Sequence, residues 1–233
     1  MTVFTRNDPK SSIHMTNALA KPRIVVAEDH AMIAEGIAKL LENDCELVEV
    51  VADGKTLISA TQHHLPDLIL VDVSLPLLNG LEATRQIKKR FPTIHVIILT
   101  MHTDPALVND ARAAGASGYL IKESAASELL HAIREVLRGK KIFSSTIQEN
   151  VNKGSVSVEH HETTTQSGRP ITPRQREVLQ LIAEGRSNKE IAEILNLAVK
   201  TVEFHKTRLM RTLQLHSVPE LTKYAIAHRI ITL

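Results

Sequence analysis

The sequence predicts a doubly wound α/β domain on a five-stranded parallel sheet, followed by a small all-α domain of four helices. Three observations predict it. Short apolar runs alternate with amphipathic stretches up to residue 143, the pattern of successive βαβ units. A polar segment with few large apolar side chains then intervenes, and from residue 169 onward strand-like runs give way to helix-start signals. The expected organisation is an extension at 1–21, an α/β domain at 22–143, a mobile linker at 144–168 and a helical domain at 169–233.

Each element has its own justification. The strands are read as RIVVAE (23–28), CELVEVV (45–51), DLILV (67–71), HVIILT (95–100) and GYLI (118–121). Five helices follow them. The first repeats apolar residues at helical spacing through Ile33, Ile37, Leu40 and Leu41, and the last through Leu129, Leu130, Ile133 and Leu137. In the helical domain, Thr172-x-x-Gln175, Ser187-x-x-Glu190 and Ser217-x-x-Glu220 read as capping boxes, each satisfying orphan amides at a helix start. Pro173 suits a first helical position, Gly185 a helix end, and Asn196-Leu197 the turn before the third helix.

Composition narrows the function classes. Residues 22–143 carry 13 Lys and Arg against 16 Asp and Glu, net −3, whereas residues 169–233 carry 11 against 6, net +5. Positive charge is thus concentrated in the shorter domain, where a phosphate backbone is the natural partner. The single cysteine, Cys45, is expected to pack in a reducing, cytoplasmic setting. No apolar run reaches the ~18 residues of a membrane helix, and the first 21 residues lack the apolar core of a signal peptide, so no membrane association is expected. The 12 histidines, His63-His64 and His160-His161 included, are accompanied by no cysteine pair and no His-x-x-x-His spacing, which argues against zinc.

In sheets of this type ligands gather beyond the carboxyl ends of the strands. The polar residues there are Glu28 and Asp29 after strand one, Asp72 after strand three, Thr100 after strand four and Lys122 after strand five. A carboxylate ending an apolar run, as Asp72 ends LILV, costs several kcal/mol unless it is paired or bound to a cation. Three clustered acids call for a hard cation such as Mg²⁺. Beside the metal Asp72 would be a nucleophile toward phosphorus, Lys122 would neutralise the phosphoryl charge, and Thr100 would donate a hydrogen bond to it. Pro76 and Gly80 would shape the following loop and open the next helix.

The third helix of the second domain divides on a helical wheel. Val202, Leu209 and Leu213 share one side; Lys200, Glu203, Phe204, Thr207 and Arg211 share the other, with Thr201 and Arg208 on its flank. A polar face, basic at both ends and carrying one aromatic, suits a helix lying in the major groove of double-stranded DNA.

These residues carry a resemblance. Glu28-Asp29, Asp72 in the run Asp-x-x-x-Pro-x-x-x-Gly, Thr100 and Lys122 resemble the flavodoxin-like receiver domain of two-component response regulators. TPRQREVLQLIAEGRSNKEIAEIL with KTVEFH resembles the LuxR-type helix-turn-helix, and the pairing resembles the NarL/FixJ subfamily. The resemblance implies a transcriptional regulator, not an enzyme, whose Asp72 takes phosphate from a sensor histidine kinase. Glu28, Asp29, Asp72 and the Ser74 carbonyl would bind Mg²⁺, and Thr100 and Tyr119 would switch on phosphorylation. Homodimers on phosphorylation or on DNA, and contact with RNA polymerase, complete the implied partners. Three departures stand out: Glu123 in place of a common proline, Gln175 in place of Glu, and Ala198 in place of a capping Ser or Thr.

Two rivals are weaker. A phosphohydrolase of the haloacid dehalogenase type needs a second Asp two residues after the nucleophile, and position 74 is Ser. A phosphate-independent dimerisation module would have no use for the set Asp29, Asp72, Thr100 and Lys122.

Overall fold

A computed structural model of the chain describes residues 21–101, 104–122, 126–143 and 171–231. The first part is a parallel sheet of strands β1 (Arg23–Ala27), β2 (Glu46–Val51), β3 (Leu68–Asp72), β4 (His95–Thr100), β5 (Gly118–Ile121) and β6 (Ile142–Phe143), in the order β2-β1-β3-β4-β5-β6. Helices α1 (Ala31–Leu41), α2 (Gly54–His64), α3 (Gly80–Arg90), α4 (Pro105–Ala114) and α5 (Ala126–Leu137) alternate with the strands. The chain leaves β1 toward β2 and returns to β3 on the other side, so the topological switch point lies between β1 and β3.

Side-chain alternation along the strands builds two core layers. Val25, Ile69, Val71, Val96 and Ile98 pack with α2, α3 and α4 through Leu57, Leu81, Ile87 and Leu107. Ile24, Val26, Leu68, Leu70 and Ile97 pack on the opposite face with α1 and α5 through Ile37, Leu41, Leu129 and Ile133. Both faces of β1 and β3 are covered, which is why these strands read as continuous apolar runs.

Among the described residues the sheet has six strands, not the five expected. The sixth is two residues long, too short for any period to show. It pairs with β5 through Gly118–Ile142 and Tyr119–Phe143, and Phe143 is buried with the Arg112 guanidinium 3.9 Å from its ring centroid. Strand ends also shift by one residue: β1 stops at Ala27, leaving both Glu28 and Asp29 beyond it, while β3 runs through Asp72. The expected extension lies outside the described residues except Lys21, and the expected linker and Glu123 lie wholly outside them.

The second part is all helical: α6 (Pro173–Ala183), α7 (Asn188–Leu195), α8 (Val199–Leu213) and α9 (Val218–Ala227) around Val178, Leu181, Ile191, Val202, Leu209 and Leu221. Two capping boxes form as expected, at Thr172/Gln175 and Ser187/Glu190. The third forms by half. Ser217 caps α9, but the Glu220 carboxylate accepts from the His216 N–H at 2.7 Å, one residue before the cap. Asn196 takes a left-handed conformation between α7 and α8, and Ala198 gives α8 no side-chain cap, as its lack of an oxygen dictates.

The helical part docks on the α/β part along α6. Gln180 is buried against the loop after β3: its Oε1 accepts the Asn79 N–H at 2.8 Å and its Nε2 donates to the Leu75 carbonyl at 3.0 Å. The Glu184 carboxylate accepts the Leu77 N–H at 3.0 Å, and Gln86 donates to Glu177 at 2.8 Å. Lys55 donates to the Ile194 carbonyl at 2.7 Å, at the C-terminal end of α7. Leu77 itself takes a left-handed conformation, φ 63°, and packs against the apolar core of the helical part.

Gly80 marks the tightest approach near the end of β3: a Cβ there would lie 1.9 Å from the Asp72 carbonyl oxygen. Gly80→Ala is therefore expected to destabilise the α/β part by about 1–3 kcal/mol through overpacking. Gly36, on an open stretch of α1 where, beyond its own helix backbone, none of the described residues comes within 4 Å of its would-be Cβ, is the control. Gly36→Ala should raise the urea midpoint and Gly80→Ala lower it.

Candidate functional site

The carboxyl edge of the sheet brings the expected residues together. β1 and β3 are neighbours, so Glu28 and Asp72 emerge side by side, both 3% exposed. Lys122 follows β5, two strands away, and its stem spans the end of β4 to reach them. Its Nζ stands 2.6 Å from Glu28 Oε2 and 3.0 Å from Asp72 Oδ2. Two buried carboxylates are held by one buried ammonium. Glu28 Oε2 accepts no well-angled hydrogen bond despite the close ammonium, so it retains acceptor capacity.

Asp29 lies at the rim, more exposed than Glu28 and Asp72. His30 was not expected here. Its Nδ1 is 3.1 Å from Glu28 Oε1 and 3.0 Å from Asp29 Oδ1. The signal available in the sequence was only its position directly after the acidic pair. Ligand atoms of Glu28, Asp29, His30 and Asp72 all lie within 4.8 Å of one another, a donor set of mostly hard oxygens that fits a divalent cation.

Thr100 and Tyr119 stand on adjacent strands. Both are fully buried, and their side chains are hydrogen bonded to each other. Burial, foremost, pushes the Tyr119 phenol up to about 12. Asp104 lies close enough to act on it electrostatically and has two further tasks. It caps α4 by accepting the Ala106 N–H at 2.7 Å, and it forms an ion pair with Arg229 of the helical part.

The site opens into a half-enclosed cleft of about 700 Å³ between the two parts. One wall carries Asp29, His30, Asp72, Ser74, Met101 and Lys122. The other carries Ala183, Glu184, Ile230 and Ile231. No sequence signal pointed to this second wall, because its residues are apolar or capping positions of another domain. Burial pushes the Glu184 carboxyl above the usual range, outweighing the hydrogen bonds from Gln180 and Leu77 that pull it down.

On α8 the wheel holds. Val202 and Leu209 are buried and Leu213 is partly so. Lys200, Glu203, Thr207, Arg208 and Arg211 are exposed, and so is Phe204 at 58%. Thr201 is half-buried. The outward face is not covered by the α/β part.

The ammonium bridge makes a definite demand on stability. Lys122→Ala leaves Glu28 and Asp72 buried without a counter-charge and should cost about 3–5 kcal/mol in a metal-free buffer. Adding Asp72→Asn to it should recover part of that loss, a coupling that urea unfolding of both variants measures. A second expectation concerns Glu184. Its carboxyl is raised in the docked state, so docking is tightest below the ordinary glutamate range and weakens as pH rises through the raised value. Glu184→Gln should remove that dependence and shrink the radius of gyration measured at pH 7 by small-angle scattering.

Comparison with known proteins agrees with this geometry. Residues 24–134 match the response regulator receiver domain, and residues 169–225 match the bacterial regulatory proteins of the luxR family. The chain is 37% identical over 217 residues to the oxygen regulatory protein NreC of Staphylococcus carnosus, covering 90% of this chain and 99% of the relative. The Staphylococcus aureus protein of the same name (strain JH9) is 38% identical over 214 residues, covering 90% and 99%. Among solved structures, the RcsB response regulator of Salmonella typhimurium aligns over 90% of this chain and all of its own, with a TM-score of 0.55 and 26% identity. An RcsB–DNA complex aligns over 88% and 97%, with the same TM-score and identity. The chain is accordingly a two-component response regulator of the NarL family, a phosphorylation-controlled transcriptional regulator that joins a receiver domain to a luxR-type DNA-binding domain.

Proposed function

We propose that Asp72 accepts a phosphoryl group from a sensor histidine kinase and that the resulting change alters how the C-terminal domain meets promoter DNA. The observation that supports this most is the Lys122 ammonium, 3.0 Å from Asp72 and 2.6 Å from Glu28, beside an acidic rim. Glu28, Asp29 and Asp72, with the Ser74 carbonyl, would hold Mg²⁺, which supplies charge neutralisation to the incoming phosphate. Lys122 would exchange part of its contact with Glu28 for a phosphoryl oxygen, and Thr100 would turn its hydroxyl to another. Because Tyr119 is bonded to Thr100 and lies near Asp104, rotation of Thr100 would reach the start of α4.

On the DNA side, α8 would enter the major groove. Lys200, Arg208 and Arg211, long cations at the edges of the face, would meet phosphates, with Thr201 at the rim. Glu203, Phe204 and Thr207 would meet base edges; Glu203 would accept from a cytosine amine and Phe204 touch a thymine methyl. A single domain of this size buries too little for tight specific binding, so two copies on two half-sites are expected. The solved RcsB dimers on DNA support the same arrangement here. RNA polymerase would be the next partner, and the cytoplasm the location. The domains are taken as 22–143 and 169–233, joined by 144–168, with 1–21 as an extension.

Two measurements test this. Phosphoramidate with Mg²⁺ should add one phosphate to the wild type, seen by intact mass, and none to Asp72→Asn; equal labelling would remove Asp72 from its role. In binding-site selection, Glu203→Ala should relax preference at one base position. Lys200→Ala should weaken binding to all sequences and lower the salt slope by about one.

A further inference from the structure

We infer that the docked C-terminal domain selects phosphodonors by size. A small phosphodonor reaches Asp72 in the closed chain, whereas a phosphohistidine carried on a helical bundle reaches it only after the C-terminal domain has moved away. The inference rests on Asp72 being the phosphoacceptor.

The cleft is what limits access. Asp72 and Lys122 are both buried, so any donor must approach through the roughly 700 Å³ between Asp72 and the wall formed by Glu184, Ile230 and Ile231. That volume lies within the ~300–1,000 Å³ of ordinary small-molecule sites. A helix with its side chains is about 10–12 Å across, so two turns of one alone fill on the order of 1,000 Å³. A donor histidine on a bundle brings several such helices. The wall is also anchored. Asn79 and Leu75 are bonded to Gln180, Leu77 to Glu184 and Asp104 to Arg229, while Leu77 packs into the helical core. These contacts start three residues after Asp72, so the domain grips the acceptor loop itself.

Closure does not cover the recognition helix. Lys200, Glu203, Phe204, Thr207, Arg208 and Arg211 remain exposed in the docked chain. The consequence of closure therefore falls on the acceptor and not on the DNA face. With phosphoramidate the step balances without a further reactant: the P–N bond breaks, a P–O bond to an Asp72 oxygen forms, and the nitrogen leaves as ammonia.

The test locks the domain in place. Gln86 and Glu177 face each other across the interface, with their side chains hydrogen bonded at 2.8 Å. Gln86→Cys and Glu177→Cys in the full chain would be joined by a reducible bis-maleimide. Cys45 is buried and its thiol is pushed up by that burial, so it stays out of the reaction. Two donors are compared: phosphoramidate, and an autophosphorylated sensor-kinase core chosen because it labels the reduced chain. Phosphoramidate should label the locked and reduced chains at comparable rates. The kinase core should label the locked chain at least about tenfold more slowly, since only the open fraction is competent. Arg229→Glu, which sets like charges against Asp104, should speed kinase labelling of the unlinked chain. Equal kinase labelling of locked and reduced chains, or a lock that stops both donors alike, overturns the inference and leaves the acceptor assignment standing. Label persisting after Asp72→Asn overturns the assignment itself.

Discussion

Everything at the working edge of this molecule depends on how two buried acidic side chains are given a counter-charge. Glu28 and Asp72 come from adjacent parallel strands and would repel each other at the end of an apolar sheet. Lys122 resolves this from two strands away. Its long stem crosses the end of β4, and its ammonium touches both acids. Adjacent acids and a distant cation follow directly from the strand order, with β1 and β3 side by side and β5 two places beyond β3.

The loop that follows Asp72 belongs to both halves of the protein. Ser74 and Leu75 line the cleft over Asp72, whereas Leu75, Leu77 and Asn79 bond to α6 of the C-terminal domain. Leu77 adopts a left-handed backbone that a branched residue enters at a cost of about 1–2 kcal/mol. The Glu184 carboxylate on its N–H and the helical core around its side chain offset that cost. Asp72 and the docked DNA-binding domain are thus joined through a few residues of backbone.

Helix α8 is organised by the opposite rule. Its inner face is fixed by Val202 and Leu209, and its outer face is left free. Ala198 supplies no side-chain cap at the start of α8. Residues 169–233, which include this helix, carry a net positive charge.

By itself the sequence determined five of the strands to within a residue, the start of α6 and of α7, the placement of Glu28, Asp29, Asp72, Thr100 and Lys122 at the carboxyl edge, and the outward face of α8. Each is a local matter: apolar periodicity, a capping oxygen, or a polar residue ending an apolar run. It also located Tyr119 on β5, but not its bond to Thr100, which needs the pairing of β4 with β5. The two-residue sixth strand escaped because a pair of residues has no period and its burial comes from β5 and Arg112. His30 escaped because an imidazole after two acids has no fixed direction until the helix start turns it back. The Glu220 bond to His216 instead of the cap amide depended on the local turn geometry before α9. Above all, Gln180, Glu184, Arg229 and Ile230 read as unremarkable members of a helical domain. Only tertiary structure made them the docking interface and far wall of the cleft over Asp72, because their contacts are with residues more than 100 positions away, and no local pattern encodes that distance.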